Sequence, residues 1–342
     1  MKHLVIIVLF FISIFSTSWI FKDNKLTQQP RIEKIIPKNW PQPVKNIFEK
    51  NRLSADGFFL GKKLFYEKRL SKNNTINCGS CHQQEFAFSN AGKDFSKGVN
   101  NSLTKRNAPA LINIAWMNQL HWDGAINHIE VQPLAPITAK NEMNEQMKTI
   151  IQKLSKDKNY PVLFKKAFGD TIINSKRILK ALAQFVGSLV SSNSKYDKAM
   201  NGKLFFNKTE LQGYQLFKSN CASCHPEPLF TDNDFHNNGT SLNSLHDIGL
   251  QGITHQSKDS LKFKVPTLRN ITVTYPYMHD GSIKNLNSII EHYENNNLLN
   301  PMLDKKLQRK ISFTKQEKKA LIEFLFTLTD NDFLRNRSFA KE

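Results

Sequence analysis

The stretch Asn77–Phe88 reads NCGSCHQQEFAF, and how it is read decides the fold. Cys78 and Cys81 lie three apart, and His82 follows at once. The pattern returns as CASCH, with Cys221, Cys224 and His225. These are all the cysteines of the 342-residue chain, so none remains for a structural disulfide. Three chemistries compete. A zinc site takes four ligands, usually two neighbouring cysteine pairs or one pair with spaced histidines. Here the pairs fall in different halves of the chain, so each would need further ligands of its own. A redox dithiol usually sits in a βαβ context, and strand signals are weak throughout. The third chemistry is covalent haem. Two cysteines one turn apart reach the two vinyl groups of one porphyrin, and the next residue offers an imidazole to the iron. Two copies that use every cysteine favour haem, with His82 and His225 as proximal ligands.

Around these motifs the chain reads as helical. Over 173–190, Ile178, Leu179, Leu182, Phe185, Val186 and Leu189 share one helical stripe. TKQE (Thr314–Glu317) is a capping box ahead of a second stripe formed by Leu321, Phe324, Leu325 and Leu328, and TELQ (Thr209–Gln212) has the same form. A faint repeat links the halves: GKKLF (Gly61–Phe65) precedes the first cysteine pair and GYQLF (Gly213–Phe217) the second. The expected fold is all-α, with two cytochrome c-like helical domains that each carry one covalently bound c-type haem. Their boundaries are expected at 46–200 and 201–335, with the change-over in the polar stretch SSNSKYDKAMNG (Ser191–Gly202).

The N-terminus begins with basic Lys2 and His3. Leu4–Phe15 follows, apolar except for Ser13, and small Ser16 and Ser18 stand at cleavage-site spacing. Residues 1–22 therefore read as an export signal, or as an anchor in the inner membrane if the segment is retained. The proline-containing residues 23–45 read as a linker. The body is expected in the periplasm. The formal net charge is +19, which favours anionic partners and speeds encounter with them. The lysines are scattered and the chain has no binding motif for nucleic acid, so nucleic acid is not an expected partner.

Longer stretches carry a resemblance. CASCHPEPLFTDNDFHNNG (221–239) and FKVPTLRNITVTYPYMHDGSIKNLNSIIEHY (263–293) closely resemble the bacterial di-haem cytochrome c peroxidases and their relative MauG. RNAPALIN (106–113) and HWDGAINHIEVQPLAPITAKNEM (121–143) follow the same pattern. The resemblance spans roughly Asp56 to Thr329 and implies a reaction with hydrogen peroxide at the N-terminal haem. It implies that Trp122 stands between the haems and that Gln132 and Glu142 form the peroxide pocket. It also implies a calcium ion held by Asn107 and by the carbonyls of Thr274 and Pro276, part of the roughly six to eight oxygens calcium takes. The chemistry of two of these residues agrees. Peroxide cleavage moves a proton between oxygens, which Glu142 can carry, while Gln132 can hold the peroxide by hydrogen bonds. Implied partners are a small cytochrome c or copper-protein electron donor, or a protein substrate, with a second copy of the chain as a further candidate. A plain electron-transfer di-haem cytochrome is the alternative of another class. His279 matches a family position and is expected to be structural; the remaining histidines are not expected to be ligands.

Two departures stand out. Many peroxidases of the family carry a blocking histidine after the first motif, whereas FSKGVNNSLTKRNAP (Phe95–Pro109) contains none. The first haem is therefore expected to have an open sixth position. At the distal-ligand position of the second haem, where common members place methionine, this chain has Tyr293, as MauG-type proteins have tyrosine. Met278 is the competing ligand. A phenolate favours ferric iron and a thioether ferrous iron, so a low potential is expected for the second haem.

Overall fold

The computed structural model describes residues 36–43, 48–296 and 298–341. The expected export signal and most of the expected linker lie outside them. Helices dominate: α1 (Ala55–Phe65), α2 (Leu134–Thr138), α3 (Met147–Ser155), α4 (Asn159–Phe168), α5 (Ser175–Gly187), α6 (Lys195–Met200), α7 (Lys208–Asn220), α8 (Gln251–Thr254), α9 (Leu286–Glu294), α10 (Lys315–Phe326) and α11 (Asn331–Leu334). Among the described residues the sheet is one antiparallel pair, β1 (Phe235–His236) with β2 (Phe263–Lys264), in register Phe235↔Lys264.

Two helix crossings organise the molecule, and they repeat each other. α1 packs on α5 and α7 packs on α10. A Cβ on Gly61 would come within 2.0 Å of the Ala181 carbonyl oxygen, and one on Gly213 within 1.9 Å of that of Ala320. Only glycine lets each backbone pair approach this closely. Phe65 and Phe185 fill the first crossing beside Leu60, Leu64 and Leu182. Phe217 and Phe324 fill the second beside Phe230, Leu321 and Leu328. The repeat GKKLF/GYQLF is thus the glycine and the aromatic of one helix–helix joint, used twice.

Caps set the helix starts. Thr314 and Glu317 form the expected capping box of α10. TELQ does not cap α7. Glu210 closes instead on Asn207, two residues before Thr209, with Glu210 N–H donating to Asn207 Oδ1 at 2.9 Å. The Asn207 side chain accepts directly from the first turn, as a strong N-cap residue does.

The polar stretch 191–202 is not a free connection. It holds α6, whose Tyr196 packs into the second core against Phe230. Asp197 forms a two-pronged ion pair with Arg269, which is fully buried (2.8 and 2.9 Å). Arg269 also lies under Trp40, with its guanidinium 4.6 Å from the ring centroid. Trp40, inside the expected linker, is therefore packed at this junction. Ser191 joins the halves. Asn113 accepts from its N–H, and Asn270 donates to its hydroxyl at 2.9 Å. After Thr329 the chain returns to the first half, where Phe333 and Leu334 enter the first core.

Candidate functional site

Between the two cores lies one cavity of about 760 Å³. Cys81 and His82 line one end, Cys221, Cys224 and His225 the other, and Trp122 lies along the same wall. The two ends are built alike. Each histidine is the residue at which a short turn begins, and its Nδ1–H donates back to a carbonyl: His82 to Phe88 at 2.7 Å, His225 to Phe230 at 2.9 Å. A carbonyl can only accept, so the proton sits on Nδ1 and the Nε2 lone pair is free for a metal. Phe88 and Phe230 take φ of 58° and 56°, an uncommon conformation for an aromatic residue, and Ala87 before Phe88 does the same. Burial pushes His82 down to about 4 and lowers His225, so both imidazoles are neutral at pH 7, as iron ligation requires.

The four cysteines are unpaired. Burial pushes the Cys78 and Cys221 thiols up to about 12 and raises Cys81 and Cys224. Redox dithiols and zinc ligands need the opposite, a stabilised thiolate. Neutral thiols beside a large, mostly apolar cavity with a metal-ready imidazole at each end fit two covalently held haems. Cys224, Asp232 and His236 also approach within 4.8 Å of one another. His236 offers no free nitrogen there, since Asp304 and Asp232 hold Nδ1 and Nε2 at 2.6 and 2.9 Å.

Gln132 and Glu142 line the cavity on the His82 side. Burial raises the Glu142 carboxyl above the usual range, and among the described residues it has no ion-pair partner. Its backbone is pinned by the loop without the blocking histidine. Val99 N–H donates to the Glu142 carbonyl at 2.8 Å, and Ser102 Oγ to that of Asn141 at 3.1 Å. A Cβ on Gly98 would meet the Asn141 carbonyl oxygen at 2.2 Å, so this loop lies flat against the segment that presents Glu142. Trp122 donates its indole N–H to the Asn107 carbonyl at 2.9 Å and accepts at its own carbonyl from Lys264 N–H at 2.8 Å. It is thereby tied to both halves.

At the other end, Tyr293 on α9 faces the cavity near the second cysteine pair, and burial pushes its phenol up to about 12. Met278 lines the same region, and Asn238 Nδ2 donates to its sulfur at 3.3 Å. Asn238 acts on the Tyr293 phenol too, lowering its pKa against the effect of burial. Asn107, Thr274 and Pro276 all reach the cavity. Asn107 Nδ2 donates to the carbonyls of Lys93 and Asp94 (3.0 and 3.2 Å), which leaves Oδ1 as its side-chain atom for a cation. His279 is buried, stacks on Phe263 at 3.7 Å and accepts at its carbonyl from Asn107 N–H, which is a structural role. The sequence reading passed over His121, which lines the cavity 3.3 Å from Gln132.

A helical fold with a paired Cys-x-x-Cys-His cavity defines a di-haem c-type cytochrome. The family model for di-haem cytochrome c peroxidase matches residues 55–205, and that for cytochrome c matches 211–329. The methylamine utilization protein MauG of Methylophilus methylotrophus is 32% identical over 96% of this chain and 95% of its own length. The cytochrome c551 peroxidase of Nitrosomonas europaea is 34% identical over 84% of this chain and 83% of its own. A crystal structure of a MauG-like protein associated with microbial copper homeostasis matches with a TM-score of 0.83 and 32% identity, over 89% of this chain and 97% of that one. The chain belongs to the di-haem cytochrome c peroxidase and MauG family, and is a two-haem oxidoreductase of the peroxidase class.

Proposed function

We propose that the protein reduces hydrogen peroxide to water in the pocket above His82, without prior reduction, drawing electrons from an external donor through the half that carries His225. The observation that carries this reading is a half-buried, unpaired carboxyl, Glu142, and the amide of Gln132 in one pocket with the neutral His82, beside a loop with no histidine to fill it. Bound haem supplies the iron and the electrons that cleave the O–O bond. His82 and His225 hold the two irons from one side, and the cysteines hold the porphyrins. The Gln132 amide orients the peroxide. Glu142, whose acid form burial favours, delivers a proton to the departing oxygen. Trp122, tied to both halves, is the stepping stone between them.

Tyr293 is the proposed outer ligand at the second iron. The sulfur of Met278 already accepts from Asn238, and a ferric ion is the kind of cation that displaces a buried phenol proton. Asn107 Oδ1 with the carbonyls of Thr274 and Pro276 is the proposed calcium site. The donor is a small cytochrome c or copper protein, and the net charge of +19 favours an acidic docking face on it. The proposed location is the periplasm. Among the described residues no helix is long and apolar enough to cross a membrane. Tyr293 also favours a second reading, MauG-like oxidation of residues on a partner protein. Stopped-flow mixing of the fully ferric protein with peroxide, followed by a reduced small cytochrome, separates the two. Repeated turnover of the cytochrome is expected. Peroxide-driven spectral change with no cytochrome oxidation would select the MauG-like reading.

A further inference from the structure

Past the cysteine motifs the two halves repeat at one constant offset, a different one from that between the motifs themselves. Pro109 corresponds to Pro266, and Asn113 to Asn270, both with left-handed φ (55° and 59°). A short 3-10 turn follows each, Ile114–Trp116 and Ile271–Val273. At the same offset Leu120-His121-Trp122-Asp123-Gly124 answers Tyr277-Met278-His279-Asp280-Gly281. The backbone repeats as well. His121 has φ 67° and Met278 72°, Gly124 has 73° and Gly281 69°, and matching bridges Leu120↔Ile126 and Tyr277↔Ile283 close the two loops. His121 thus holds in the first half the place that Met278, on the wall of the second pocket, holds in the other.

The surroundings of His121 are those of a working group. Its Nε2 lies 3.3 Å from Gln132 Nε2. An amide nitrogen can only donate, so His121 Nε2 accepts from it, and its lone pair is directed at the amide that lines the pocket beside it. Asp123, Arg106, Lys264 and His82 are the charged and titratable groups that act on it. Arg106 is neutralised by Asp123 and Asp247. Lys264 is nine-tenths buried and has no carboxylate partner among the described residues; its Nζ rests 3.7 Å from Met117 Sδ. Burial lowers its pKa and outweighs the effect of Asp123, so the imidazole is neutral at pH 7.

We propose that His121 is a proton-accepting residue of the first pocket, taking the proton that hydrogen peroxide loses on binding while Glu142 gives one to the oxygen that leaves. Glu142, in giving its proton to the leaving oxygen, cannot take the other at the same moment. One proton passes from the first oxygen to His121 Nε2. Another passes from Glu142 to the second oxygen. The O–O bond breaks with the two electrons of the peroxidase reaction and the second oxygen departs as water; the first leaves as the second water once two protons, one of them returned by His121, have reached it, and until then the imidazolium and carboxylate are opposite charges in one pocket.

The inference rests on the peroxide pocket proposed above, so its test uses a probe besides peroxide. Cyanide arrives as hydrogen cyanide and must also lose a proton to bind ferric iron. His121→Asn is the variant of choice, because asparagine accepts the left-handed backbone. The association rate of cyanide and kcat/KM for peroxide are each expected to fall about 100-fold, with both haems present by pyridine haemochrome assay and the second haem's spectrum unchanged. His121→Gln serves if the asparagine variant loses haem. Unchanged cyanide association in a variant that holds both haems overturns the proposal. So does a wild-type first haem that is six-coordinate through His121 and becomes high-spin in the variant, since a ligating nitrogen accepts no proton. Cyanide binding that depends on His121 in a protein that fails to turn over peroxide would uphold His121 and overturn the peroxidase reading instead.

Discussion

Glu142→Gln is expected to lower kcat for peroxide by about 100- to 10,000-fold. The side chain is half-buried, lines the same cavity as His82 and, among the described residues, has no cation to hold it ionised. Its backbone is fixed by Val99 and by the close approach of Gly98 to Asn141, so the amide of the variant will stand where the carboxyl stood. Haem content and the resting spectrum should be unchanged, which separates a lost proton from a lost fold. The pH dependence has a definite sign. Burial raises the carboxyl's pKa, so the acid form is present below that raised value and is lost as pH rises through it. The wild-type rate should fall on the alkaline side, and the residual rate of the glutamine variant should not follow that limb. Full turnover in the variant would remove Glu142 from the proton path.

Tyr293→Met is expected to raise the midpoint potential of the second haem by roughly 0.1–0.3 V, because it exchanges an anionic oxygen donor for a neutral thioether. A spectroelectrochemical titration of both haems reads this directly, with the first haem as internal control. The tyrosine sits on α9 with its phenol buried near Cys221 and Cys224. Asn238 donates to Met278 and lowers the pKa of Tyr293, so the two candidate ligands lie around one side chain. An unchanged potential would mean that Tyr293 only packs, and the ligand position would pass to Met278.

The parts of this molecule that local chemistry dictates were legible in the sequence. Two Cys-x-x-Cys-His motifs that exhaust the cysteines admit few uses, and helical stripes such as Ile178–Leu182–Phe185 show their buried face by spacing alone. The capping box at Thr314 was visible for the same reason, being complete within four residues. Features that depend on distant partners were not. Asn207 outcompetes Thr209 as the cap of α7 because of backbone conformation, which composition does not reveal. A polar run hides Tyr196 and Asp197, one in the second core and the other paired with Arg269 from far along the chain. The return of Phe333 to the first core is likewise a long-range contact. The loop 95–109 could be read for the histidine it lacks, but not for how it braces Glu142. The match of His121 with Met278 was present in the letters. The identities differ at the informative positions, and the shared Asp-Gly and left-handed backbone carry the likeness.

The central claim is that the first haem is open and reacts with peroxide in the fully ferric protein. Electron paramagnetic resonance of the resting protein, repeated after one equivalent of peroxide with no reductant, tests it most directly. The account predicts a high-spin signal beside a low-spin one, both lost when peroxide is added. Two low-spin signals that persist in peroxide until the protein is half reduced would contradict it, and would mean that a ligand closes the iron opposite His82.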